Sequence, residues 1–200
     1  MSKKIFSPAV LFCAFVMLLV QGCISDPVVF SEVFQLKQGE KLYTRYNIWY
    51  TNPKDISCLN IQSGTFIPIG TEIEPIGTSW YWDTIKFKDV KSGKRYTIKF
   101  DEAYRLCSMR DFVAYTFTTK SRKELFKGIK PAVQSRIVRG EVVPGMSVRE
   151  VLLSYGPPPG LRTPDLRNES WVYWSSESEV IRLAFRDGKV RNVLNFNKKR

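Results

Sequence analysis

The sequence predicts an α+β protein: a small β-rich, barrel-like N-terminal domain, then a C-terminal helix with a three-stranded antiparallel meander. Three observations carry this. Residues 41–120 are dense in aromatic and β-branched residues, with stretches of period-two alternation. Residues 147–155 hold helical spacing between a capping signal and a Gly-Pro stop. Residues 169–196 divide into three strand-like runs.

The chain opens with a segment unlike a folded domain. Lys3 and Lys4 form a positive start, and Ala9 to Val20 is an apolar run of about 12 residues. A membrane-spanning helix needs roughly 20, so the run suits a cleaved export signal. Ser25, Asp26 and Pro27 then turn the chain polar. The stretch Val20-Gln21-Gly22-Cys23 resembles the bacterial lipobox, in which a small residue precedes the modified cysteine. The resemblance implies diacylglyceryl transfer to Cys23, cleavage before it and N-acylation with a palmitate-class chain. Two or more acyl chains give stable anchoring where one does not. The alternative is an ordinary signal peptide cleaved nearby. Residues 1–22 are thus expected to be a lipoprotein signal and 23–40 a tether. Ile24, standing where an aspartate would retain such a protein at the inner membrane, implies the periplasmic face of an outer membrane.

Loss of residues 1–22 removes two lysines and no acid, so the net charge falls from +12 to +10. That charge favours acidic partners. For an exported chain these are lipid headgroups, acidic envelope polymers and acidic proteins, with no nucleic acid. The basic residues are scattered along 86–99 and 120–130 and read as a generally basic surface. Two cysteines remain besides Cys13 and Cys23, namely Cys58 and Cys107. In an oxidising compartment they are a disulfide candidate, with two buried thiols as the alternative. Such a bond would close a loop of about 50 residues, on the order of 4 kcal/mol by chain entropy.

Within 41–120, Leu42 to Tyr50 and Gly64 to Ile73 carry strand content. Thr84 to Val90 and Arg95 to Phe100 alternate around Ser92-Gly93, a β-hairpin with one lysine-rich face. Phe66 to Ile73 loosely resembles an element of bacterial Src-homology-3-like barrels. Residues 121–140 read as a basic, partly helical connector, with Ser121 and Glu124 able to form a capping box and Pro131 and Gly140 as breakers.

In 141–197, Ser147 and Glu150 form a second capping-box signal. Val148, Val151, Leu152 and Tyr155 share one helix face, and Gly156 followed by prolines stops the helix after about two turns. Strands are expected at Glu169 to Ser175, Glu179 to Arg186 and Lys189 to Phe196, with Asp187-Gly188 as a two-residue turn. The helix is expected to pack on this sheet, which is marginal alone.

The order Gly145-Met146-Ser147, Glu150-Val151, Gly156-Pro157-Pro158, Trp171-Val172-Tyr173 and Asp187-Gly188-Lys189-Val190 resembles the SmpA/OmlA (BamE-like) domain over about residues 137–197. That family consists of small outer-membrane lipoproteins, and the resemblance implies a non-catalytic scaffold or binding accessory in outer-membrane assembly or maintenance. The proline-rich stretch Pro157 to Pro164 and the extra domain 41–120 depart from its minimal form. Two rival readings stand beside it, a cell-wall-binding or cell-wall-acting lipoprotein and a periplasmic inhibitor module.

The chain has no histidine, which removes the commonest general base, the usual triads and most zinc sites. No phosphate-binding glycine loop is present. We therefore expect no enzyme, no metal and no cofactor. Trp171, Tyr173 and Trp174 are the partner-binding candidates, because tryptophan and tyrosine dominate binding hot spots. Trp171 and Tyr173 share one strand face and Trp174 the other, and for the Trp171/Tyr173 face core is the stronger reading. Trp80 and Trp82 form a second cluster, a binding tip or a membrane-interface contact.

Overall fold

The computed structural model describes residues 28–79 and 83–196. The fold is α+β, with a curled six-stranded sheet and a three-stranded antiparallel sheet near the C-terminus. Cys23, Trp80 and Trp82 lie outside the described residues.

The first unit begins earlier than 41. Helix α1 (Val28–Phe34) buries Phe30 in the core, with its ring 5.3 Å from that of Phe117. The expected 23–40 tether is therefore part of the fold from Val28 onward, with Val33, Phe34 and Leu36 also packed on the core. Strands β1 (Leu42–Thr44), β2 (Ile48–Tyr50), β3 (Ile56–Ser57), β4 (Thr65–Ile67), β5 (Glu72–Ser79), β6 (Thr84–Asp89) and β7 (Arg95–Lys99) follow. Helices α2 (Glu102–Arg105) and α3 (Met109–Thr116) and strand β8 (Phe117–Thr118) complete the unit. The main sheet runs β3-β7-β6-β5-β1-β8, and β2 and β4 pair separately. The expected hairpin is β6–β7, with Lys88 opposite Arg95 and Gly93 at φ +70° in its turn. Ile85, Phe87, Tyr96 and Ile98 fill its inner face, as alternation requires. A bulge between Pro75 and Gly77 interrupts β5, where proline cannot donate to the ladder.

Helices α2 and α3 add two helical segments to the β-rich stretch 41–120. Asp101 caps α2 through the Ala103 and Tyr104 amides, and Ser108 caps α3 through the Asp111 amide. Phe112, Val113 and Thr116 give α3 a buried stripe.

The second unit also begins earlier than expected. The 121–140 segment folds as α4 (Arg122–Leu125) and α5 (Pro131–Val138), and it buries Leu125, Phe126, Ile129 and Ile137 in the C-terminal core. It is part of that domain, not a connector. Pro131 starts α5 at its first turn, where a missing N–H costs nothing. Helix α6 (Val148–Tyr155) then precedes β9 (Ser170–Trp174), β10 (Val180–Arg186) and β11 (Lys189–Phe196), a meander in the order β11-β10-β9. Both expected capping boxes form. Asp187 and Gly188 both have positive φ, +53° and +70°, the backbone twist a two-residue hairpin turn needs.

Helix α6 buries more than the expected stripe: Val151, Leu153, Ser154 and Tyr155 are buried, while Val148 and Leu152 are only partly covered. It is enclosed on several sides, because its carbonyls also meet the first unit. The buried Asn47 amide donates to Ile137 O at 2.7 Å and to Ser154 O at 3.1 Å, and Asn47 Oδ1 accepts from Ile69 N at 2.8 Å. The Asn60 amide donates to Tyr155 O at 2.8 Å and to Asn47 O at 3.1 Å. Ile69, from the N-terminal half, sits in the C-terminal core.

Candidate functional site

Strand β9 sorts its aromatics by alternation. Trp171 and Tyr173 are 0% exposed. The Trp171 ring lies 4.6 Å from Phe185 and that of Tyr173 5.3 Å from Tyr155, and Tyr173 Oη donates to Gly156 O at 2.8 Å. Their place in the partner-binding set is corrected: both are core residues, sealed from any partner by α6 and the meander. Trp174 faces the other way. It is half-buried beneath the Arg162 guanidinium at 4.9 Å, and its backbone carbonyl accepts from Gln62 N at 2.8 Å. It lines a cavity of about 390 Å³ with Leu59, Ile61, Tyr104 and Leu161.

The proline-rich stretch after α6 builds the rest of this surface. It crosses to α2, with Leu161 N donating to Tyr104 O at 3.1 Å and Arg105 Nη1 donating to Pro157 O at 3.3 Å. At Gly160 a Cβ would lie 2.4 Å from the Arg105 carbonyl oxygen, so only glycine permits the crossing. Thr163 Oγ1 accepts from Val172 N at 3.0 Å and ties the stretch to β9. Beyond the crossing lies a second cavity of about 410 Å³, whose walls include Arg45, Arg105, Leu106, Tyr115 and Leu166.

This junction concentrates exposed apolar surface. Tyr104, Leu106, Tyr115, Leu161 and Leu166 are all exposed large apolar side chains, and each borders one of the two cavities. Leu106 is 56% exposed at φ +52°, a left-handed conformation disfavoured for leucine. Strain of this kind persists where the surroundings fix it, and such positions cluster at functional sites. None of these five residues was singled out in sequence. They come from three separate segments, and only the fold brings them together.

Cys58 and Cys107 are both free thiols in this structure and pack against the same core. Burial pushes the Cys58 thiol up to about 11 and raises that of Cys107. Both are thus held as weakly nucleophilic thiols. Among the described residues no three His, Cys, Asp or Glu side chains converge as a metal-ligand group. No helix among them is long and apolar enough to cross a membrane. No family model matches the chain, and neither a curated protein nor a solved structure similar to it was found.

Proposed function

We propose that this protein is a lipid-anchored lipoprotein of a bacterial envelope whose folded part is a non-catalytic binding module. The observation that carries the reading is the N-terminal sequence: Lys3 and Lys4, an apolar run too short to span a bilayer, and Gly22 immediately before Cys23. The fold is compatible with the second half of the proposal. Helix α6 and the three-stranded meander lie within the span of the SmpA/OmlA resemblance, about residues 137–197. The chemistry on offer at the surface is apolar and cationic, suited to binding. The face offered to a partner is the α2 and proline-stretch junction with Trp174, which presents aromatic and aliphatic side chains in a cluster.

Expression of the full chain in a diderm bacterium fed labelled palmitate tests the anchor. Label should enter the protein and stay with the membrane fraction through a high-salt wash. Cys23→Ala should take up no label and leave the membrane. Equal labelling and sedimentation of the two would overturn the proposal.

A further inference from the structure

The cavity walled by Arg45 and Arg105 carries two cations without an anion. Arg105 is 6% exposed, and Arg45 is partly buried. Among the described residues neither takes part in an ion pair. No carboxylate lines the cavity; Asp165 is paired with Arg167 at 2.6 Å, Asp111 accepts from the Ser108 hydroxyl at 2.7 Å, and Asp101 caps α2 through the Ala103 and Tyr104 amides. Each guanidinium has one backbone acceptor, Phe117 O at 3.2 Å for Arg45 and Pro157 O at 3.3 Å for Arg105. Each buried Nε lacks an acceptor in the protein. Cys107 and the Phe112 ring are the further neighbours of the Arg105 head. A buried charge without a counter-charge is costly, and an arginine fork matches carboxylate and phosphate oxygens.

The rest of the wall selects what carries that anion. Leu106, Tyr115, Leu152, Pro158 and Leu166 supply apolar surface. Pro157, Pro158 and Pro164 have no N–H, so a peptide backbone seated there would find few donors. A single apolar chain needs none. The volume, about 410 Å³, lies within the usual range for small-molecule sites.

We infer that this cavity binds a single-chain amphiphile with an anionic head, carboxylate or phosphate, the head beside Arg45 and Arg105 and the chain over the proline stretch. The site belongs wholly to the described residues, so it stands whether or not Cys23 is lipidated.

The test is calorimetric titration of the full chain in phospholipid nanodiscs, with empty discs as the blank. Octanoate and octyl phosphate are the probes, and the tighter of the two identifies the head group. Octanol, octyltrimethylammonium and acetate should each bind at least about tenfold more weakly, since each lacks the charge, the sign or the chain. Arg45→Gln should weaken the better probe about tenfold. Leu166→Glu, at a position 44% exposed, should do the same by placing a carboxylate at the rim, with its urea midpoint measured alongside to show that the fold is kept. Octanol equal to both anionic probes, unchanged affinity in both variants, or preference for a peptide ending in a free carboxylate would each overturn the inference.

Discussion

Asn47 shows how much one buried polar side chain can hold. Its amide satisfies two carbonyls and its oxygen one amide, drawn from Ile69, Ile137 and Ser154, three segments distant in sequence. Asn47→Ala would leave Ile69 N and Ser154 O buried and unpaired, while Ile137 O keeps Gly140 N at 2.9 Å, and each such loss costs on the order of 1–3 kcal/mol. We expect a net destabilisation of about 3 kcal/mol, read as a lower urea midpoint. A loss under about 1 kcal/mol would mean that water replaces the amide. Asn60 acts alongside it at φ +53°, a conformation asparagine tolerates better than most residues. Neither residue was singled out in sequence, because a buried asparagine and one in a surface turn look alike there. The tryptophans were more legible. Alternation alone placed Trp171 and Tyr173 on one face and Trp174 on the other, but it could not say that the first face would be sealed.

At the scale of elements, the signals that could be read were local ones. Both capping boxes, the Asp187-Gly188 turn and the β6–β7 hairpin depend on residues within a few positions of one another, and all form. The misread segments are those decided by distant packing. Phe30 makes α1 part of the fold only because Phe117 is there to receive it. Helices α4 and α5 read as a connector because their apolar residues are sparse and their partners lie in α6 and the meander. The walls of the second cavity were illegible for the same reason, since Arg45, Arg105 and Leu166 meet only after folding. Gly156, read simply as a helix stop, has a second duty. Its φ is +74°, and a Cβ there would lie 2.6 Å from two carbons of the buried Tyr46 ring. Gly156→Ala thus meets backbone strain and overpacking together, about 1–3 kcal/mol from each source. We expect a loss of roughly 3 kcal/mol in urea unfolding. Gly188→Ala, with φ +70° but open space around it, should lose only about 1 kcal/mol. Equal losses would show that the Tyr46 ring yields freely.

At the scale of the whole molecule, two apolar cores are joined through polar hinges that belong to neither alone. Ile69 crosses from the N-terminal half into the second core, the Arg122 guanidinium returns to Ile69 O at 2.7 Å, and Asn47 and Asn60 bind the end of α6. Opening either unit would strip buried backbone groups of their partners in the other, a penalty of several kcal/mol set against the 5–15 kcal/mol of a typical domain. The two cores are therefore expected to unfold together. Each carries its own reporter once the other four tryptophans are changed to phenylalanine: Cys58 is buried in the first, and Trp171 in the second. Pulsed thiol labelling of Cys58, resolved by peptide mass, and tryptophan fluorescence should give the same urea midpoint, and Asn47→Ala should lower both by the same amount. Coincident curves are the mark of a single cooperative unit. A Cys58 midpoint well separated from that of fluorescence would show that the cores melt independently. The cavity between α2 and the proline stretch, walled by both units, would then open with the first core to melt.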